Sequence, residues 1–153
     1  MHRRARYSRP AWEDRFALPA REDLLAAFGK QQRHLIDLMR ERLLALESVE
    51  ESLSWRGIPW RWTFAYCMEG ETDRPWAYLV PRPGKPLFAM PITPGTVDLL
   101  DARKVSRVLR DGLSAAVNVA GVLWPQWELT GKPLTEELLA IAKRRHDALL
   151  ATA

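Results

Sequence analysis

The sequence predicts a single α+β domain, an antiparallel β-meander with helices packed on one of its faces. Three observations lead to this fold class: helical patterns come first, an alternating pattern follows from residue 60, and helical spacing returns after residue 104. With 153 residues, of which 47% are hydrophobic and 27% charged, the chain has an ordinary globular composition and suffices for one core. A collagen-like or wholly disordered chain is excluded.

Residues 1–20 are predicted to form a mobile basic arm, and residues 21–153 the domain. The first fifteen residues hold five arginines against Glu13 and Asp14, so most of the net charge of +4 lies here. We expect Trp12 and Phe16 to pin the second half of this arm onto the domain. The remainder is nearly neutral, which argues against a dedicated nucleic-acid-binding domain.

Helices are predicted first, then strands. Apolar residues at helical spacing indicate a short helix over residues 24–28 and a long one over residues 31–46. Ser48 and Glu51 have the spacing of a capping box and predict one more helical turn through Leu53. From residue 60 to residue 68 the period is two and the residues are rich in aromatics, which is typical of a strand. Two further strands are predicted over residues 76–80 and 87–92.

The second half of the chain predicts two helices and a short strand between them. The first helix covers residues 105–117 and would be capped by Asp98 or Asp101. Residues 119–124 predict the strand, and Thr135 the N-cap of the last helix. A basic face on the first of these helices is interpreted as a solvated surface and not as a nucleic-acid site; it comprises Arg103, Lys104, Arg107 and Arg110.

Two segments carry a resemblance to a known family. The first joins residues 48–55, SVEESLSW, to residues 57–59, GIP, and the second joins residues 124–129 to residues 134–138, LTEEL, and a basic helix. In this order they resemble the YdhG-like families, small uncharacterised bacterial domains with a frataxin-like fold. The resemblance implies a frataxin-like sheet with helices on one face, and it suggests iron delivery, which some relatives perform with acidic helix edges. Here the long helix departs from that pattern, because it mixes acidic with arginine side chains.

The aromatic meander is the main candidate site. Cross-strand pairing predicts that Trp60 or Trp62 lies near Trp76 and Tyr78. One interpretation is an aromatic platform or pocket for a flat or apolar ligand, with an arginine, Arg61 or Arg56, at its rim for an anionic group. The other is that this row is the hydrophobic core beneath the helices. The contacts predicted for the ligand are Trp60, Arg61, Trp62, Tyr66, Trp76 and Tyr78, and Trp55 and Trp124 or Trp127 are further members of the same aromatic group.

Weaker signals for chemistry lie in Cys67 and in a short acidic loop. A nucleophilic cysteine needs a base, and the sequence does not bring His34 or His146 to Cys67. The alternating acids at positions 69, 71 and 73 offer oxygen ligands, but a solvated loop is the favoured interpretation. No nucleophile elbow, phosphate-binding loop, dinucleotide motif or zinc-binding helix occurs in the sequence.

The leading hypothesis is a non-catalytic binding domain that holds a small ligand or a partner segment on its aromatic sheet surface, with no cofactor. The alternatives are an iron-delivery protein and an enzyme that uses Cys67. We expect a cytoplasmic protein without a membrane span, because the most apolar run, residues 113–124, is too short to cross a bilayer. A single cysteine excludes an intrachain disulfide. The sequence leaves the ligand and the oligomeric state open.

Overall fold

The computed structural model describes residues 10–93 and 104–152. They form the predicted α+β domain, in which a short 3-10 turn at Ala11–Glu13 precedes the helices and strands. The described part has four helices: α1 Arg21–Leu25, α2 Lys30–Leu44, α3 Arg107–Ser114 and α4 Lys132–Ala151. Residues 1–9 of the predicted arm lie outside the described residues, as do Asp98 and Asp101.

In the described part of the chain, five strands form one antiparallel sheet, and two more form a separate hairpin. The strands of the sheet, in their spatial order, are β1 Val49–Trp55, β2 Trp62–Met68, β3 Ala77–Val80, β4 Leu87–Ala89 and β7 Gln126–Glu128. The hairpin pairs β5 Val117–Val119 with β6 Val122–Trp124. The first four sheet strands follow one another along the chain; β2, β3 and β4 are the predicted meander, and β1 adds a strand that was not predicted.

The strand register divides the sheet into a core face and an outer face. On the core face one residue from each strand lines up across the sheet, and this row is Leu53, Phe64, Leu79, Phe88 and Trp127. Buried side chains of α2 and α4, among them Ile36, Met39 and Leu138, join four of these five in one hydrophobic core, and Leu53 packs against it. The corresponding row of the outer face is Ser52, Ala65, Tyr78, Ala89 and Gln126.

The helical turn predicted after residue 48 is wrong, since this segment is strand β1. Ser48 has a φ of 61°, so the chain turns there instead of continuing the helix. Val49, Leu53 and Trp55 then pack against the hydrophobic core with the period of a strand. Glu51, the second half of the expected capping box, accepts hydrogen bonds from side chains of the core face instead.

The ends of the last two helices also differ from the prediction. Ser106 is the N-cap of α3, and its hydroxyl accepts a hydrogen bond from the Leu109 N–H. Helix α4 begins at Lys132 after Gly131, so Thr135 lies inside it and donates to the Gly131 carbonyl at 2.9 Å. Thr135 is therefore not an N-cap.

The closing strand of the sheet was not predicted. The expected strand over residues 119–124 is split between β5 and β6, and the chain passes Pro125 to form β7. Backbone contacts continue across this bend, because Met90 N–H donates to the Pro125 carbonyl and Ile92 bridges to Leu123. The bend places Trp124 beside the outer face of the sheet and Trp127 on the core face.

Candidate functional site

Three of the six predicted contact residues lie in the hydrophobic core. Trp62 and Tyr66 belong to β2 and are 7% and 0% exposed. Trp76 precedes β3, is 3% exposed and packs against the His146 ring of α4 at 6.1 Å. For these three residues the placement matches the core interpretation of the aromatic row.

Trp60 and Trp62 do not share a face, although they are two residues apart. The alternation of β2 begins at Trp62, and Arg61 before it has a φ of 60° in the left-handed region. This turn of the backbone directs Trp60 to Tyr78, while Trp62 contacts Trp55 on the core face. Arg61 is half-buried at the end of the β1–β2 turn, where its guanidinium lies 5.2 Å from the Trp12 ring.

The other candidates meet on the outer face of the sheet, in what we call the outer aromatic cluster: Trp60, Tyr78 and Trp124. The Tyr78 ring centroid lies 5.2 Å from that of Trp60 and 5.9 Å from that of Trp124, and the two indoles are 6.3 Å apart. Ala65 and Ala89 flank Tyr78 on the neighbouring strands, and their small side chains leave room for the indoles above them. Trp60 and Trp124 are only half-buried, so part of each indole faces solvent.

Two polar side chains border the outer aromatic cluster. The Arg56 guanidinium lies over the Tyr78 ring at 5.2 Å, a cation–π contact. Within the described part of the chain Arg56 forms no salt bridge, so its exposed guanidinium is available to an anion. On the other side the Trp60 indole N–H donates to Gln126 Oε1 at 3.3 Å, which fixes the indole over the sheet.

The sequence named Trp60 and Tyr78 as members of an aromatic site and gave Trp124 and Arg56 as alternatives to Trp127 and Arg61, but it did not name Gln126. That residue comes opposite Ala89 through the β4–β7 pairing. No local pattern predicts this pairing, because β7 has only three residues and follows a proline.

Cys67 lies on β2 two residues from Ala65 and is buried. Burial raises the pKa of its thiol, the nearby Arg56 lowers it by less, and the acids Glu50 and Asp73 raise it further. The thiol donates to the Thr72 carbonyl at 3.6 Å. Of the described histidines, His146 contacts the Glu47 carbonyl and Trp76, and His34 is exposed on α2. Cys67 therefore lacks the base and the lowered pKa of a nucleophile.

A charged network lies on the opposite, core face and fixes β1 to the helices. The Glu51 carboxylate, whose side chain is 5% exposed, accepts hydrogen bonds from Arg21, Arg40 and Tyr66 at 2.7 to 2.9 Å. Burial raises the pKa of Glu51, but the hydrogen bonds from Arg40, Tyr66 and Arg21 outweigh it, and the pKa is lowered overall. Burial, with the adjacent carboxylate, raises the pKa of Tyr66 well above its ordinary value.

The remaining chemical signals of the sequence occupy exposed positions. Glu69, Glu71 and Asp73 are exposed, and residues 10–93 and 104–152 contain no group of three or more side chains arranged to hold a metal ion. Lys104, Arg107 and Arg110 are also exposed, whereas Arg103 lies outside the described residues. Among the helices described, none is both long and apolar enough to cross a membrane.

Comparisons of the chain with protein-family models and with curated proteins give no match.

Proposed function

We propose that the protein is a non-catalytic binding domain, and that the outer aromatic cluster holds a small planar ligand with an anionic group. The observation that carries this proposal is the contact of Arg56 with the ring of Tyr78, between two half-exposed indoles. A planar ring can stack on the exposed part of Trp60 or Trp124, and a carboxylate or phosphate on that ring can pair with Arg56.

The chemistry around the cluster supports binding over catalysis. Cys67, the thiol that interacts electrostatically with Tyr78, is buried, and burial raises its pKa. Tyr78 is likewise unsuited to proton transfer near neutral pH, because burial raises its pKa and Arg56 offsets only part of this. No observation on the described residues favours iron delivery, and the resemblance to the YdhG-like domains stays a prediction.

The proposal is tested with planar aromatic anions such as indole-3-acetate and adenosine monophosphate, each paired with a neutral analogue. We expect at least one anion to raise the melting temperature and quench indole fluorescence saturably, while its neutral analogue binds more weakly. Arg56→Gln should weaken that binding about fivefold, since Arg56 is exposed and its pair with the ligand is partly screened.

Arg107→Gln is the matched control, because Arg107 is also an exposed arginine and lies on α3. It should leave ligand binding unchanged. The proposal is rejected if no planar anion binds, or if Arg56→Gln and Arg107→Gln behave alike towards the anion that does.

A further inference from the structure

A second site lies at the end of the β1–β2 hairpin, where Arg56 and Trp60 belong to the same turn but do not line the site. The segment before α1 and the turn between β1 and β2 enclose an open groove of about 400 Å³. This volume falls in the range of small-molecule sites, about 300–1,000 Å³. Six of its lining residues carry the argument: Glu13, Arg15, Phe16, Trp55, Ile58 and Arg61.

The groove exposes large apolar side chains on two facing walls. Phe16 is 86% exposed on the segment before α1, and Ile58 is 76% exposed on the hairpin turn. Trp55 also lines the groove, is half-buried and contacts the Trp62 ring edge-on, with the ring centroids 5.8 Å apart. When an apolar ligand covers apolar groups on both sides of one groove, their removal from water lowers the free energy of the complex.

The wall before α1 is held in place by contacts with the core. The Trp62 indole N–H donates to the Asp14 carbonyl at 2.7 Å, and the Asp14 carboxylate accepts from the Phe16 N–H at 3.1 Å. Trp12 next to them is buried, which confirms that it anchors this segment, whereas the exposure of Phe16 shows that Phe16 does not. A groove with fixed walls loses little entropy when a ligand enters it.

The charged side chains at the groove favour a ligand that carries an anionic group next to its apolar part. Among the residues that line the groove, the guanidiniums of Arg15 and Arg61 stand beside the carboxylate of Glu13, while the neighbouring Asp14 carboxylate accepts from the Phe16 N–H. The closest approach of Arg61 to Glu13 is 3.9 Å, and Arg15 has no salt bridge to any residue in the described ranges. The lining of the groove therefore combines apolar walls with two guanidiniums and one carboxylate, and Arg15 is free to pair with an anion.

We propose that this groove binds an amphipathic monocarboxylate, such as a medium-chain fatty acid, with its alkyl chain between Phe16 and Ile58. The carboxylate then lies near Arg15 and Arg61. This site is independent of the function proposed for the outer aromatic cluster, because the two share no residue.

Decanoate, kept below its micellar concentration, is the probe, and decanol and acetate are its controls for the carboxylate and the chain. We expect decanoate to bind the full chain saturably and to change the fluorescence of the tryptophans, whereas acetate does not bind and decanol binds more weakly. Ile58→Ser should weaken decanoate binding about tenfold, because it removes a large part of the apolar contact. Arg15→Gln should weaken it about threefold to fivefold, as expected for an exposed charge.

Ile58 and Arg15 are both exposed, so the variants Ile58→Ser and Arg15→Gln should fold. Val108→Ser is the matched control for Ile58→Ser, because Val108 is an exposed apolar residue on α3. Arg107→Gln, at an exposed arginine on α3, is the matched control for Arg15→Gln and should leave decanoate binding unchanged.

Three results would overturn the proposal. The first is decanoate binding that does not saturate, and the second is binding that Ile58→Ser leaves at full strength. The third is a concentration-dependent dimer in sedimentation experiments that Ile58→Ser dissociates, because the groove would then be covered by a second copy of the chain.

Discussion

Replacing Glu51 by glutamine should destabilise the fold by about 3 kcal/mol. The substitution keeps the shape of the side chain and an oxygen that can still accept from Tyr66, but it removes the charge that holds Arg40. Two hydrogen bonds from Arg40 at 2.8 and 2.9 Å are lost or weakened, and the Arg40 side chain is only 19% exposed. Hydrogen bonds to charged groups contribute about 1.5–3 kcal/mol each, and breaking a buried pair costs about 3–5 kcal/mol. Because Arg40 is partly exposed, we expect a loss of stability at the lower end of the range for a buried pair.

The assay is urea unfolding followed by circular dichroism, with thermal unfolding as a second measure. For a chain of this length, about 3 kcal/mol corresponds to a fall in melting temperature of about 6–12 °C. Glu22→Gln is the matched control, because Glu22 pairs with Arg33 on the surface with its side chain 71% exposed. That pair should contribute little to stability, because solvent screens it. If Glu51→Gln costs no more than Glu22→Gln, the buried network is not an important source of stability.

The Glu51 carboxylate also makes the stability of the fold depend on pH at acidic values. Because the folded protein lowers the pKa of Glu51, the network stabilises the fold fully above the ordinary glutamate pKa of about 4.3. This contribution is lost as the pH falls through the lowered value. The difference in unfolding free energy between the wild type and Glu51→Gln should therefore stay constant near neutral pH and shrink below about pH 4. A difference that grows on acidification would contradict the sign of the shift.

Two further predictions concern packing and the thiol. Gly112→Ala should cost about 3 kcal/mol in urea unfolding, because a methyl group there would overlap the Trp127 indole, whose N–H donates to the Leu109 carbonyl. Gly29→Ala, with open space around the new methyl group, should cost less than about 1 kcal/mol, and equal losses would refute the packing argument. Cys67 should react slowly with a thiol reagent near neutral pH and rapidly once urea unfolds the chain, because burial shields the thiol and raises its pKa. Rapid reaction of the folded protein would contradict this.

The sequence predicted the fold class and most elements because their signals are local. The helical spacing of α2 and the alternation of β2 are each carried by a continuous run of residues. The prediction fails where the backbone conformation of one residue decides whether the chain continues as a helix or turns into a strand. At Ser48, a positive φ ends the helix and begins β1, and a capping-box pattern gives no sign of it.

The candidate site was predicted only in part, again because backbone conformation and long-range contacts decide which side chains meet. Either Trp60 or Trp62 was expected near Trp76 and Tyr78; Trp60 contacts Tyr78, and Trp124 joins them. Trp62 and Tyr66 share a sequence pattern with Trp60, but the positive φ of Arg61 separates them from it. Gln126 depends on a pairing between residues 37 positions apart in the chain, Ala89 and Gln126, and the groove of Phe16 and Ile58 depends on the Trp62–Asp14 hydrogen bond. Such long-range contacts leave no periodic signal.

The most direct test of the binding proposal is to follow the indole N–H signals of the seven tryptophans by nitrogen–proton NMR during titration with a planar aromatic anion that raises the melting temperature. We expect the signals of Trp60 and Trp124 to move with one common saturation curve, while those of the core residues Trp62, Trp76 and Trp127 stay in place. Shifts confined to the core tryptophans, or no shift at Trp60 and Trp124 at saturation, would contradict the assignment of the outer aromatic cluster as the binding site.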